Sequence, residues 1–235
     1  MPSPERKRAD VRNHRPLQIT AELRTPVITD EWLPFDGMLY HQAMRERWGG
    51  LVLTWPGANN NGAQPVRLPL KKRGVGEEWY YAASFAQPRR WWVAEGIDHW
   101  AKRFDQSLVS LLARDGKRCV LNTRSGRYKL YHMPVFYRCA LRVQWYVIGS
   151  QRRIKELLCT LTNIGKKGSQ GWGRVSAWHV EPCAEDWSEV RDGQLTRALP
   201  VTEATQRGLP FELAHYGIRP SYHASANQLP VAMPV

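Results

Sequence analysis

The sequence predicts an α+β protein with a ferredoxin-like β-α-β-β-α-β core, a large insertion rich in aromatic and basic residues, and a C-terminal β extension. Segments with an apolar residue at every second position alternate with two segments in which apolar residues recur at helical spacing. Hydrophobic residues make up 43% of the 235 positions, which is ordinary for a chain that buries a core. A central stretch dense in Trp, Tyr and Arg interrupts this order and predicts the insertion.

The first strand and helix of the core follow a basic, polar segment at residues 1–16, which predicts a flexible arm. Residues 17–29 begin with a strict alternation of apolar and polar side chains, which is typical of a strand with one buried face. A helix then runs from Phe35 to Trp48 and ends at Gly49. The residues predicted to share its inner face are Phe35, Met38, Leu39 and Gln42.

The second half of the core is a long β region, a helix and a final strand. Residues 129–149 form the β region, and Ser150 is placed to cap the helix that follows, which ends at Gly165. Residues 174–183 form the final strand. The inward residues of the β region are predicted to be Leu141, Val143, Trp145 and Val147, and those of the helix Ile154, Leu157, Leu158, Leu161 and Ile164.

The remaining segments define the predicted domain boundaries. Residues 54–66 are rich in Gly, Pro and Asn and predict a loop, with short strands near 67–72 and 78–85. The core domain covers residues 17–183, its insertion about 67–125, and the β or loop extension residues 184–235.

Positive charge is concentrated in the core domain. The chain has 34 Lys and Arg against 21 Asp and Glu; residues 1–183 hold 30 against 15, a net of +15, and residues 184–235 hold 4 against 6, a net of −2. Of the 34 cations 25 are Arg, whose planar guanidinium both forks onto phosphate and stacks on bases. A nucleic acid is therefore the predicted partner, although a genome rich in G and C would also favour Arg.

The sequence shows neither a metal site nor a membrane segment. Its four Cys have no Cys-x-x-Cys spacing and its seven His no His-x-x-x-His spacing, so we expect reduced, mostly buried thiols, no metal and no cofactor. No apolar run approaches the roughly 18 residues of a membrane span, and the first residues lack the apolar core of a signal peptide. We expect a cytoplasmic protein with no membrane partner.

The strongest candidate site is a glycine-rich loop before the final strand. Its glycines are expected to leave backbone N–H groups uncovered and to let phosphates approach, while its cations supply charge. The loop lacks the spacing of a nucleotide-hydrolysing P-loop. The alternative to a phosphate-binding site is a flexible hairpin with solvated lysines. The candidate RNA-binding residues are Gly165, Lys166, Lys167, Gly168, Ser169, Gln170, Gly171, Trp172, Gly173 and Arg174.

A second candidate lies in the insertion, where aromatic and basic residues interleave between positions 79 and 104. Exposed rings beside cations suit the stacking of single-stranded bases. The alternative is that rings such as Tyr80 and Trp91 belong to a core. The aromatic residues are Trp79, Tyr80, Tyr81, Phe85, Trp91, Trp92, Trp100 and Phe104. The candidate RNA-binding residues are Arg89, Arg90, Trp91, Trp92, Lys102 and Arg103.

No complete catalytic set is recognisable. Metal-free RNA cleavage needs a group that deprotonates the 2′-OH and another that protonates the leaving oxygen. His41 on the first helix is the candidate if the protein is an enzyme. The alternative is that His41 is a surface residue or a satisfied core residue.

These segments resemble the CRISPR-associated RAMP superfamily, whose members are ferredoxin-like RNA binders. Ile164 to Arg174 followed by Val175 to Trp178 is similar to the family's glycine-rich loop and last core strand, and Leu33 to Leu39 resembles the start of its first helix. Lys102 to Phe104 resembles a motif of its insertion. The nearest resemblance is to the Csf-three-like effector subunit of type IV systems, which is of the Cas-five kind.

The resemblance implies a subunit that grips the 5′ handle of the CRISPR RNA (crRNA) and caps a filament of backbone subunits. The insertion would be the thumb, a large subunit would be a further partner, and target DNA would be met only through the complex. The basic arm at residues 1–16 departs from the family's pattern, and no His/Tyr/Lys set of the RNA-processing relatives is matched. We therefore expect a non-catalytic subunit.

Two alternatives stay open. One is a metal-independent endoribonuclease that cuts the CRISPR repeat with His41. The other is a docking scaffold whose aromatic residues bury against partner proteins and touch little RNA.

Overall fold

The computed structural model describes residues 13–48, 66–102, 122 and 124–235. These residues form twelve strands and three α-helices. The strands are β1 (Arg15–Leu23), β2 (Lys72–Arg73), β3 (Tyr80–Tyr81), β4 (Ala94–Lys102), β5 (Tyr131–Cys139), β6 (Arg142–Gly149), β7 (Val175–Pro182), β8 (Val190–Arg191), β9 (Gln194–Leu195), β10 (Leu199–Pro200), β11 (Glu212–Gly217) and β12 (Gln228–Met233). The helices are α1 (Phe35–Trp48), α2 (Gln151–Leu158) and α3 (Val201–Gln206).

The main sheet has the strand order β6-β1-β7, and both pairs are antiparallel. β1 lies in the middle, and its alternate residues Leu17, Ile19 and Ala21 are at most 1% exposed, which explains the period-two pattern of the sequence. Residues near 70, 83 and 87 continue the sheet beyond β6 through isolated antiparallel bridges.

The two longer helices complete the main core. α1 packs against α2, and α2 packs against β7. Phe35 at the start of α1 lies 5.7 Å from the ring of Trp145 on β6, and the Trp145 indole N–H donates to the Leu33 carbonyl over 3.0 Å. This buried cluster is the hydrophobic centre that the sheet and both helices share.

A second core belongs mainly to the C-terminal extension, which forms the sheet β10-β12-β11 and the short helix α3. Its buried residues include Leu199, Ile218 and Val231, and Tyr80 and Phe85 reach into it from the middle of the chain. The extension is therefore packed onto the core domain through residues that the sequence assigned to the insertion.

Several predicted elements are confirmed and others differ. The helix from Phe35 to Trp48 is confirmed, with Phe35, Leu39 and Gln42 buried. The predicted β region 129–149 is two strands, β5 and β6, with a break at which Leu141 is 79% exposed, so its predicted inward position is wrong. The second helix ends at Leu158 and not near Gly165, because poor helix formers such as Thr160 and Asn163 follow it.

The bounds of the insertion stay a prediction. Leu68, Leu70, Tyr81 and Ala83 are buried in the main core, whereas the pair β4–β5 lies outside both buried clusters. The predicted arm extends too far, because β1 begins at Arg15. The ferredoxin-like assignment of the core stays a prediction, since the described strands divide into several small sheets.

Candidate nucleic-acid interface

The segment 24–31, which follows β1, joins the glycine-rich loop to the β4–β5 pair. Val27 pairs with Arg138 at the end of β5, and Ile28 pairs with Lys166 in the loop. The Arg138 guanidinium also donates to the Asp30 carbonyl over 2.7 Å. Two candidate sites that are far apart in the sequence are therefore held side by side.

The glycine-rich loop is pinned to this segment by its own backbone. The Gly173 N–H donates to the Pro26 carbonyl over 2.7 Å, and the Arg174 N–H donates to the Thr25 hydroxyl over 2.8 Å. The Thr25 hydroxyl in turn donates to the Gly171 carbonyl over 2.8 Å. The base of the loop is thus hydrogen-bonded to the segment after β1, which favours a fixed loop over the alternative of a flexible hairpin.

The lack of a side chain on glycine lets other backbone atoms of the protein lie close to this loop. Gly173 has φ +63°, and a Cβ there would lie 1.9 Å from the Ile164 carbonyl oxygen. The expectation that the loop's N–H groups are uncovered is wrong for several of them, because they donate within the protein. These are the N–H groups of Ile164, Lys166, Gln170, Gly171, Gly173 and Arg174.

The tip of the loop remains open to a ligand. Gly168 to Gln170 form a single 3₁₀ turn, in which Ser169 and Gln170 are exposed. A Cβ at Gly171 would meet nothing within 4 Å. Access for a phosphate is therefore provided at Ser169 to Gly171 rather than along the whole loop.

The three cations of the loop have different surroundings. The Lys166 ammonium pairs with the Asp30 carboxylate over 2.7 Å, and both side chains are mostly exposed. The Lys167 Nζ lies 3.6 Å from the centroid of the Trp100 ring. Arg174 is exposed and has no ion pair within the part of the chain that the structure describes.

The pair β4–β5 forms an antiparallel ribbon, and one of its faces is turned to the loop. Trp100 on this face contacts Lys167, and the Tyr137 ring lies 5.5 Å from the ring of Trp172. Trp100 is directly opposite Met133 in the ribbon register, and Tyr131 stacks edge-on against Trp100 at 5.5 Å. Rings and cations therefore lie on both sides of the contact between ribbon and loop.

The other face of the ribbon carries an exposed apolar pair. Ile97 and Phe136 are opposite each other and are 52% and 66% exposed. Beside them, the rings of His99 and His132 stack in parallel at 4.6 Å.

The residues 89–92 are divided between surface and core. Arg89 is exposed, pairs with Glu31 over 3.0 Å and lies over the Trp32 ring; Arg90 is exposed as well. Trp92 is half-buried beneath the Arg138 guanidinium at 4.0 Å.

The prediction that Trp91 binds RNA is contradicted by its burial. Only 6% of Trp91 is exposed, because its ring packs in the main core. Tyr80, Tyr81 and Phe85 are buried as well, which confirms the alternative that these rings are core residues. Lys102 lies at the end of β4, whereas Arg103 and Phe104 are outside the described residues.

A comparison with protein families identifies the family of this chain. The family described as CRISPR type IV associated protein Csf3 matches the chain over residues 15–234. The chain belongs to this family. The family that the sequence resemblance indicated is thereby confirmed. A search of the curated proteins finds no match.

Sequence reasoning missed several residues of this junction between loop and ribbon. Thr25, Asp30 and Glu31 organise it from the segment after β1, and Tyr137 and Arg138 contribute from β5. The acidic pair Asp30-Glu31 directly after a strand in a basic domain was the available signal, because such a pair predicts partners among nearby cations.

The structure gives no support for catalysis by His41. Partial burial and, to a smaller extent, the Arg45 guanidinium lower the pKa of His41. No hydrogen bond or ion pair joins His41 to the glycine-rich loop within the described residues, and these residues contain no group of three or more His, Cys, Asp and Glu that could hold a metal.

Two further expectations concern cysteines and membranes. Cys159 is exposed and Cys139 and Cys183 are half-buried, so the expectation of buried thiols is wrong for these three. Within the described residues, no helix has both the length and the apolar character needed to cross a membrane.

Proposed function

We propose that the chain is a non-catalytic RNA-binding subunit of a type IV CRISPR effector ribonucleoprotein, which binds the 5′ handle of crRNA and caps the backbone filament. Membership of the Csf3 family supports the CRISPR type IV part of this proposal. The observation that carries RNA binding is the junction of the glycine-rich loop with the ribbon, where Lys167 lies on Trp100 beside the exposed Lys166 and Arg174.

The loop and the ribbon have complementary roles in this proposal. Lys166, Lys167 and Arg174, which flank the open tip of the loop, contact handle phosphates, and Gly171 in the tip leaves space for the RNA backbone. Trp100 offers a ring on which an unpaired base stacks. When Lys167 moves from the Trp100 ring to a phosphate, it uncovers that ring for the base.

The partners are assigned by surface. The exposed apolar face of the ribbon, with Ile97 and Phe136, suits a backbone subunit, since a thumb that caps a filament needs a protein contact as well as an RNA contact. A large subunit is a further partner, and target DNA is met through the complex. The scaffold hypothesis is therefore part of the same proposal.

We also propose that the core has the ferredoxin-like arrangement. The antiparallel order β7-β1-β6, continued beyond β6 by residues near 70, 83 and 87, supports it. The packing of α1 against α2 supports it as well.

The test is RNA binding by the full chain in EDTA, with native and denaturing gels run on the same samples. We expect the variant K166A/K167A to bind a handle-containing repeat RNA more weakly and with a flatter salt dependence. R152A/K155A removes the same charge from the exposed surface of α2 and serves as the matched control. Equal affinity and salt slope for both variants would remove the loop from the proposal.

The denaturing gel tests the non-catalytic part of the proposal. Intact RNA under a shifted band is the expected result. RNA cut at one position in EDTA, with cleavage abolished in H41A, would contradict it and establish the endoribonuclease alternative.

A further inference from the structure

A second group of cations surrounds Trp79, away from the glycine-rich loop. The Lys72 Nζ lies 3.8 Å from the centroid of the Trp79 ring, and the Arg219 guanidinium lies 4.8 Å from the same centroid. Arg67 is close enough to Lys72 to lower the pKa of its ammonium, in addition to the larger effect of burial. We call Arg67, Lys72, Trp79 and Arg219 the Trp79 cluster.

The Trp79 cluster lies at the opposite end of the main sheet from the loop. Leu70, two residues before Lys72, pairs with Gly149, which pairs with Arg15 at the start of β1. The loop contacts residues 24–28, beyond the end of β1. At about 3.3 Å per residue, roughly 25 Å of strand separates the two places. A phosphate held by the loop therefore cannot contact the cluster.

Two of the three cations in the cluster, Lys72 and Arg67, have no acidic partner among the described residues. The neighbouring Arg73 pairs with Asp186 and Glu189. In contrast, no carboxylate pairs with Lys72 or Arg67 anywhere in residues 13–48, 66–102, 122 and 124–235. These two cations are exposed, and they are available to an anion from outside the chain.

Arg219 adds a fixed charge beneath them. It is 5% exposed, and its guanidinium donates to the carbonyls of Glu77, Trp79 and Ala226. One carboxylate oxygen, on the 96% exposed side chain of Glu77, lies 3.4 Å away. Carbonyl groups satisfy the N–H donors but leave the net charge, so Arg219 also lowers the pKa of Lys72.

We propose that the Trp79 cluster is a second phosphate-binding site for nucleic acid, in which Lys72 and Arg67 contact backbone phosphates and Arg219 supplies a fixed positive field. Crowded cations without a carboxylate partner destabilise one another, and a bound phosphate removes that repulsion. Nucleic acid is favoured over an acidic peptide because Arg67, Lys72 and Trp79 lie in residues 1–183, which carry the excess cations, with Arg219 added from the extension. In addition, Trp79 holds the Lys72 ammonium in a fixed position for a polyanion.

The test uses the full chain and an RNA oligomer of about 30 nucleotides that lacks the handle sequence. The variant R67M/K72M keeps the apolar stems that cover Trp79 but removes both charges. We expect it to bind this RNA on the order of tenfold more weakly, with a salt slope smaller by about 1.4, since each single-strand phosphate contact contributes about 0.7. R67K/K72R retains both charges and should bind like the unaltered chain, and R152A/K155A is the charge-matched control.

The outcomes separate this proposal from the loop. Unchanged affinity and slope in R67M/K72M would overturn the second site and show that the cations only cover Trp79, whatever K166A/K167A does. If only K166A/K167A fails to weaken RNA binding, that result counts against the proposed function and not against the Trp79 cluster. If polyglutamate, and not RNA, loses binding in R67M/K72M, the site is for an acidic protein and the proposal is wrong. Circular dichroism and thermal unfolding check that each variant is folded. If R67M/K72M is not folded, the single variant R67M, at the exposed Arg67, is compared with the unaltered chain in the same RNA-binding assay. The expected change in its salt slope is half as large.

Discussion

At the scale of single residues, the Lys166–Asp30 pair shows how the free protein neutralises part of its own candidate interface. Both side chains are mostly exposed, so the pair contributes little to folding and its acid competes with an incoming phosphate. We predict that D30N binds handle RNA about two- to fivefold more tightly at low salt, because an exposed pair is worth up to about 1 kcal/mol.

The control for D30N is E46Q, which makes the same change of charge in an exposed ion pair on the α1–α2 surface, where Arg153 keeps its second partner Glu156. The E46Q variant should bind RNA with the same affinity as the unaltered chain. Equal gains in D30N and E46Q, measured by fluorescence anisotropy, would mean that only net charge matters and that Lys166 has no special position.

Gly173 and Gly171 are needed in this loop for different reasons: Gly171 for its positive φ alone, and Gly173 for its positive φ and for a close backbone contact. Both have positive φ, so Ala at either site costs about 1–2 kcal/mol in backbone strain. A Cβ at Gly173 would also collide with the Ile164 carbonyl, whereas none of its neighbours meets a Cβ at Gly171. We predict that G173A lowers the free energy of urea unfolding by several kcal/mol and G171A by only the strain. Equal losses would show that the close approach at Gly173 is unimportant.

At the scale of elements, the ribbon β4–β5 presents two faces with different tasks. Trp100 lies on the face turned to the loop, and Phe136 lies on the opposite face and is 66% exposed. Stacking on an aromatic ring is worth about 1–3 kcal/mol per base. We therefore predict that W100A weakens handle binding about five- to 150-fold, while F136A leaves it unchanged. Titration of labelled RNA measures both, and a larger loss in F136A would reverse the assignment of the faces.

The elements also show what the sequence could and could not predict. The periodicity of Leu17 to Leu23 and of α1 predicted both elements, because one face of each is buried in a single core. The β4 strand of the ribbon could not be predicted in this way, since most of its residues are exposed and no alternation marks it, whereas β5 lies within the predicted β region. The sequence left open whether Tyr80 and Trp91 are buried or exposed, because the residues that cover them are distant in the sequence.

At the scale of the candidate site, composition predicted the loop's cations but not their arrangement. Lys166, Lys167 and Trp172 stand out in the sequence as charge and ring among glycines. Their positions depend on Thr25, Asp30 and Tyr137, which belong to other segments and carry no motif. The rest of the site is therefore a property of tertiary structure.

At the scale of the whole molecule, buried polar groups join the C-terminal extension to the core domain. Arg197 is fully buried and donates to the Ala83 carbonyl over 3.1 Å and to the Ile218 carbonyl over 2.7 Å. The Tyr222 hydroxyl donates to the buried Asp36 carboxylate at the start of α1 over 2.6 Å. These contacts indicate that the extension and the core domain unfold together.

Asp36 makes this junction sensitive to pH. Burial raises its pKa above the ordinary 3.8, although Arg197 and the Tyr222 hydrogen bond partly oppose this. The folded protein therefore holds the proton more tightly than the unfolded chain, and stability that is present below pH 3.8 is lost as the pH rises through the raised pKa. We predict that D36N, which keeps an acceptor for Tyr222, gains stability relative to the unaltered chain between pH 4 and pH 8. The free energy of urea unfolding is measured for D36N and for the unaltered chain at each pH. A difference between the two that is constant from pH 4 to pH 8 would contradict the raised pKa.

The central claim is that handle RNA lies between the glycine-rich loop and the ribbon. The most direct measurement is photocrosslinking of the full chain to handle RNA that carries 4-thiouridine at each position in turn, followed by peptide mapping. The account predicts crosslinks to Trp100, Tyr137 and Trp172 from neighbouring handle positions. Handle crosslinks confined to other surfaces, with these three residues unlabelled, would contradict it.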